Sequence, residues 1–277
     1  MPEELTSIEA KSPYELRVEH AKHVPESTMR AALASGDVGF LHSFTTGATV
    51  DGPGVRVVAW TAGCMWRCLY CHNPDTWSMT NGIPITIEDA TEQLGKYRHG
   101  LKAMSGGLTV SGGEPLMQHR FVMILFRAAQ AMGIHTALDT NGYFGDRLSD
   151  EDLDAVGLVL LDIKKWDLDR HQQLTGMDGR PTREFARRLA SLRKPIWLRF
   201  VLVPGLTDDK EDVAKIADFV ASLGNVQRVD VLPFHQMGRF KWKALKRDYV
   251  LDSVQAPSAE SVEAVCAEFR AKGLYAP

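Results

Sequence analysis

AGCMWRCLYCHNPDTW occupies residues 62–77, and three of the chain's four cysteines fall within it. They are spaced Cys64-x3-Cys68-x2-Cys71, and His72 follows the last. The number of thiols decides what the loop can hold. A run of small buried hydrophobes is a poor description, because Arg67, His72, Asn73 and Asp75 share the segment. Cys68-x2-Cys71 alone would suit thioredoxin-like redox chemistry, and CLYCH matches the C-x-x-C-H of c-type haem attachment. Both leave Cys64 without a role. Structural zinc takes four ligands. His72 is too close to Cys71 to be one, and Cys266 lies far off in the helix-like VEAVCAEF, where it reads as core. An electron-transfer 4Fe-4S cluster also takes four thiolates. Three thiolates on one loop hold three irons and leave the fourth open, as catalytic zinc keeps a position open for its substrate.

The rest of the chain bounds this reading. Its 277 residues are 44% hydrophobic and 24% charged, the balance of a soluble globular protein. At this length one large α/β domain is expected. A net charge of −3 gives no basic footprint for nucleic acid. No apolar run approaches the roughly 18 residues that span a bilayer. The first 20 residues carry no apolar core of a secretory signal, and their glutamates argue against a transit peptide. A cytoplasmic protein is expected, in a compartment that keeps thiols reduced.

Residues 1–36 read as a polar N-terminal extension with a short helix in STMRAALASG, and 37–277 as the catalytic domain. From about residue 39, apolar β-rich runs alternate with stretches of helical period. The runs are VRVVAWTAG (55–63), GLTVSGG (107–113), HTALDT (135–140), VGLVLLDIK (156–164), IWLRFVLVPG (196–205) and VDVLPF (229–234). Such continuous strands predict a parallel sheet covered on both faces. Thr86 with Asp89, Ser149 with Asp152 and Asp208 with Glu211 mark helix starts. Gly133 ends the helix that begins near His119. The last of the helices between strands carries Val213, Ile216, Ala217 and Val220 on one buried face. Six βα repeats make either an open doubly wound sheet or a barrel. In both, ligands bind at the C-terminal strand ends. There the polar clusters CMWRC, SGGE, DTNG, DIK, Pro204-Gly205 and PFHQMG converge.

Cys-x3-Cys-x2-Cys after the first barrel strand, with aromatic Tyr70 before the third cysteine, resembles the radical S-adenosylmethionine superfamily. Its second signature, GGE after the next strand, is present as Gly112-Gly113-Glu114. LHSFTTGATVDGPGVR, CLYCHNPDTW, TVSGGEPL, LDTNGY, RFVLVPGLTDD and LPFHQMGRFKW resemble the activating enzymes of glycyl radical enzymes. The likeness is strongest to those serving pyruvate formate-lyase, an enzyme of anaerobic glucose metabolism. It runs from about Phe40 to about Trp242. Longer activating enzymes carry two further clusters, for which four cysteines do not suffice.

The resemblance implies an incomplete (β/α)6 barrel, open on one side to a protein substrate. It implies one 4Fe-4S cluster on Cys64, Cys68 and Cys71. S-adenosylmethionine would be cleaved reductively there, giving a 5′-deoxyadenosyl radical that takes hydrogen from a glycine of the partner. Flavodoxin or ferredoxin would donate the electron. Tyr70, His72, Asn73, Gly112, Gly113, Glu114, Lys164, Arg199 and His235 would bind the co-substrate. Within that set, Glu114 would accept from the methionine ammonium and Lys164 would meet the carboxylate. Asp139, Thr140 and Asp162 would hold a monovalent cation, sodium or potassium, although Asp139 and Thr140 could equally cap a helix. Asp51 would join the mouth of the site. Two other readings stay open: activation of a different glycyl radical enzyme, and an iron–sulfur electron-transfer or binding protein without radical chemistry.

Overall fold

The computed structural model describes residues 23–277. Most of the extension expected at 1–36 therefore lies outside the described residues. Helix α1 (Glu26–Ser35) falls where the short helix was expected. It ends at Gly36, whose φ of 81° is left-handed, and Met29 packs against Phe40 and Ala62.

One eight-stranded sheet organises the chain. Its strands are β1 (Val38–Ala48), β2 (Arg56–Thr61), β3 (Ile83–Thr86), β4 (Gly107–Gly112), β5 (His135–Thr140), β6 (Leu158–Asp162), β7 (Ile196–Leu202) and β8 (Val226–Pro233). The order is β3-β1-β2-β4-β5-β6-β7-β8, and the two outer strands do not pair. Strands β2 and β4–β8 are parallel neighbours in chain order, and they are the six read from the sequence. This is the incomplete barrel. Strands β1 and β3 are antiparallel additions on the β2 side that the sequence reading did not separate.

Between the strands lie α2 (Ile87–Ala103), α3 (His119–Ala131), α4 (Asp150–Asp154), α5 (Leu168–Thr175), α6 (Arg180–Ser191) and α7 (Lys210–Leu223). Helices α8 (Arg239–Ala244) and α9 (Ala259–Ala271) follow the last strand. Thr86 caps α2 by accepting from Asp89 N–H, and Ser149 with Asp152 forms a full capping box on α4. The cap of α7 differs from the expected pair. Asp209 accepts from Asp212 N–H, while Asp208 accepts from Gly205 N–H and closes the turn before the helix. Two adjacent aspartates offer the same chemistry, and the turn at Gly205 takes the first.

Side chains alternate across each strand. Val159 and Leu161 of β6 join the large core between sheet and helices, with Val213, Ile216, Ala217 and Val220 of α7 and with Cys266 of α9. Cys266 is thus the core residue its sequence context suggested. The intervening Leu158 and Leu160 join Ala137 and Trp197 in a small cluster of their own. Beyond it the same alternating set turns polar: Asp139, Asp162 and Arg199 line the cavity at the C-terminal strand ends. Among the described residues no helix is long and apolar enough to cross a membrane.

Candidate active site

The segment after β2 is held by its own backbone. Gly63 and Cys64 donate to the carbonyls of Thr76 and Trp77, closing a loop from which all three thiols project. Arg67 and Leu69 donate to Thr175 and Leu174 at the end of α5, so the loop cannot swing away from the barrel. From the other side the Trp242 indole N–H of α8 donates to the Cys71 carbonyl at 2.8 Å. Gly238 lies so close that a Cβ there would stand 2.7 Å from His72 Cα.

Cys64, Cys68 and Cys71 are free thiols lining one cavity of about 290 Å³. Tyr70, His72, Asn73, Gly112, Gly113, Asp139, Thr140, Asp162, Lys164 and Arg199 line it too. Among the described residues no three His, Cys, Asp or Glu side chains converge as a single-ion site requires. The thiols surround a space instead. Burial pushes the Cys68 thiol up to about 12 and that of Cys71 up to about 11, and lifts Cys64 well above the ordinary thiol value. Lys164 opposes this at Cys68 without overcoming it. Ionising three thiols here needs more positive charge than the neighbouring side chains supply, and bound iron would provide it. The donor set therefore fits an iron–sulfur cluster.

The opposite wall is bare backbone. Gly112 has φ 112°, and a Cβ on it would lie 2.3 Å from Thr61 N. A Cβ on Gly113 would lie 2.3 Å from Gly63 O. No other residue fits this approach of β4 to the cysteine loop. Burial alone would lower the Lys164 pKa, but the Asp162 carboxylate at 2.8 Å, together with Tyr70 and Cys68, outweighs it and raises it. Lys164 is therefore a charged ammonium beside the thiols. Arg199 reaches both Asp139 and Asp51 at 3.1 Å. Ser111 donates to the same Asp139 oxygen at 2.6 Å.

Three expected site residues stand back from the cavity surface. Glu114 is fully buried behind the wall. Its carboxylate accepts from Leu116 N–H at 2.9 Å, Thr140 hydroxyl at 2.6 Å and Asn141 N–H at 2.9 Å. His235 stacks on His72 with ring centroids 4.0 Å apart, its carbonyl accepting from His72 Nε2 at 3.1 Å. Burial and the neighbouring His235 push His72 down to about 4, so the ring is neutral. Asp51 is buried and reaches the cavity through Arg199. Asp139 and Thr140 cap no helix, since α4 starts ten residues later behind Ser149.

The sequence reading missed several groups. Trp60, Trp66, Thr76, Trp77, Ser111 and Asn141 also line the cavity. Trp66 Nε1, the Tyr70 hydroxyl and Arg199 Nε are buried without a hydrogen-bond partner among the described residues, as expected of walls that await a polar occupant. Asp75 binds His42 at 2.8 Å and Lys241 at 2.9 Å. Burial opposes its ionisation, yet those two partners hold its carboxyl below the usual range. Trp66 and Trp77 could have been suspected from their place inside the cysteine segment. The Asp75 cluster joins residues more than 160 positions apart and left no local signal.

Comparison with known proteins agrees with this geometry. Residues 50–174 match the 4Fe-4S single cluster domain family. The chain is 43% identical over 230 residues to pyruvate formate-lyase 1-activating enzyme of Escherichia coli K12, covering 82% of this chain and 94% of that one. A crystallised domain of a pyruvate-formate lyase-activating enzyme from Bacteroides vulgatus superimposes with a TM-score of 0.51 at 26% identity, covering 62% of this chain and 98% of that one. SuiB of Streptococcus suis, solved with S-adenosylmethionine bound, shares the fold with a TM-score of 0.55 at 14% identity, covering 77% of this chain and 47% of that one. The open barrel with a three-thiol loop at its C-terminal face defines the radical S-adenosylmethionine class. Within that class, the chain belongs to the family of pyruvate formate-lyase activating enzymes.

Proposed function

We propose that this protein activates pyruvate formate-lyase by reductive cleavage of S-adenosylmethionine, leaving a radical on a glycine of that partner. The observation that carries the reading is the convergence of three free thiols, Lys164 and the Gly112–Gly113 backbone on one cavity, in a chain 43% identical to an E. coli activating enzyme. A cluster held here would supply the single electron for reductive cleavage of the sulfonium bond to the 5′ carbon, so that the adenosyl fragment could take a hydrogen atom from the glycine. Cys64, Cys68 and Cys71 hold the cluster. Lys164 receives the methionine carboxylate as a point charge. Gly112 and Gly113 admit the methionine end against bare backbone, with Glu114 fixing that backbone from behind. Arg199, Tyr70, His72, Asn73 and His235 enclose the rest of the co-substrate. A monovalent cation at Asp139, Thr140 and Asp162 is part of the reading, supported by hard oxygen donors at neighbouring strand ends. Asp51 orients Arg199 from below.

The proposed donor is flavodoxin or ferredoxin, and the proposed compartment is the cytoplasm. The unclosed barrel supports a flexible loop as the second substrate, since a glycine without a side chain can come close to the 5′ carbon. The test is anaerobic incubation with pyruvate formate-lyase, S-adenosylmethionine and a reductant, read by the paramagnetic resonance of a glycyl radical. Formation of 5′-deoxyadenosine with no signal on that partner would transfer the activity to another glycyl radical enzyme. No 5′-deoxyadenosine from cluster-loaded protein would end the proposal.

A further inference from the structure

Helix α8, which packs on the cysteine loop, carries charged and apolar side chains that do not line the cavity. Trp242 of α8 donates to the Cys71 carbonyl at 2.8 Å and meets the buried Trp77 edge-on with centroids 5.2 Å apart. Two guanidinium groups cover the Trp77 ring from outside, Arg67 at 4.9 Å and Arg247 at 5.3 Å. Along this face the chain reads KWKALKR over 241–247. Lys243, Lys246, Arg247 and Arg67 are exposed, and none makes an ion pair among the described residues. Asp248 is the acid beside them, whereas Asp252 is taken by Arg239. Phe240 and Met237 are exposed apolar side chains in the same segment. A protein of net charge −3 has thus gathered unpaired positive charge and apolar surface at one place. That place adjoins Trp242, which holds the Cys71 carbonyl of the loop.

We infer that this face, from Arg67 to Arg247, docks an acidic one-electron carrier protein that reduces the cluster. The inference rests on the proposed function, because only a cluster that spends an electron in each cleavage needs a donor. One electron leaves the carrier's reduced centre and enters the cluster, so the carrier is oxidised by one and the cluster reduced by one. Charge complementarity chooses the occupant. Lys and Arg on the rim steer an acidic partner and speed its encounter, while the exposed Phe240 and Met237 supply apolar contact.

The test uses cluster-loaded protein carrying Lys243→Glu and Lys246→Glu together, with reduced flavodoxin as the probe. Neither lysine lines the cavity. Calorimetric titration at low salt is expected to give a Kd for flavodoxin about tenfold weaker than that of the natural sequence, with a shallower dependence on salt. S-adenosylmethionine cleavage driven by a small photochemical reductant, illuminated deazaflavin, should be unchanged. An unchanged Kd would overturn the assignment. So would an equal fall in the photochemical rate, or weaker binding of pyruvate formate-lyase in place of flavodoxin. If the natural sequence fails to cleave with the photochemical reductant, the proposed function has failed instead, and the two failures are told apart.

Discussion

Asn141 N–H donates to Glu114 Oε2 at 2.9 Å, and that one bond ties the end of β5 to the loop after β4. The same carboxylate takes Thr140 and Leu116 on its other oxygen. Two strand ends that line the cavity are thus fixed relative to each other by a group that does not reach its surface.

The Glu114 carboxyl is pushed up to about 7 by burial, against the opposing bonds from Thr140, Leu116 and Asn141. A folded-state pKa above the unfolded value of 4.5 means that the native protein binds the extra proton. Its stabilising effect is full below pH 4.5 and is lost as pH rises through about 7. Urea unfolding of cluster-free protein should show it against Glu114→Gln, which does not titrate. The stability difference between the two should shift against the glutamate form by about 1.4 kcal/mol per pH unit within that window. A difference that stays flat from pH 5 to 8 would mean that the carboxyl is not buried as described.

Replacing Cys64, Cys68 or Cys71 by Ala should abolish the cluster, measured as iron per chain and as the broad visible absorption of iron–sulfur centres. Cys266→Ala should keep the iron and lose only packing, at a cost of about 1 kcal/mol, because its sulfur lies in the core between sheet and helices. A folded Cys266→Ala protein without iron would show that the fourth cysteine is a ligand.

Lys164→Ala should leave the iron content intact and weaken S-adenosylmethionine binding roughly tenfold or more, the scale of one charge-assisted contact at about 1.5–3 kcal/mol. Part of the effect would come from Asp162, which loses its 2.8 Å partner. Equilibrium binding of the co-substrate to the loaded variant decides it, and an unchanged affinity would take Lys164 out of the site.

A chain beginning at residue 37 should still cleave S-adenosylmethionine but unfold at a lower temperature. It loses the burial of Met29 against Phe40 and Ala62, which contributes about 1.5–3 kcal/mol. Thermal unfolding beside 5′-deoxyadenosine formation separates the two effects. Loss of cleavage from a folded, iron-loaded chain would place the start of the catalytic unit earlier than residue 37.

Much of this was legible because apolar runs and turn chemistry are local signals. Leu158 to Leu161 announce a buried strand wherever they stand, and the three cysteines declare their loop by spacing. Strand β1 escaped because its second half, Phe44 to Gly47, is exposed and shows no apolar pattern. The place of Glu114 behind the wall was not readable either. Whether a carboxylate faces a ligand or the chain's own amides depends on how closely β4 and β5 end together. The same holds for Trp242 on Cys71, a contact across 171 positions.

The unclosed sheet also has a consequence for self-association. A sheet with two ends offers two rows of backbone groups on which a strand of another molecule could grow. Here one end is β3, only four residues long, with Pro84 at its second position. A proline has no amide hydrogen to offer a newcomer. At the other end Val229 of β8 gives its N–H to the carbonyl of Tyr275 from the chain's own C-terminal segment. Both margins are poor templates for polymerisation, so leaving the sheet unclosed does not make it prone to fibre growth.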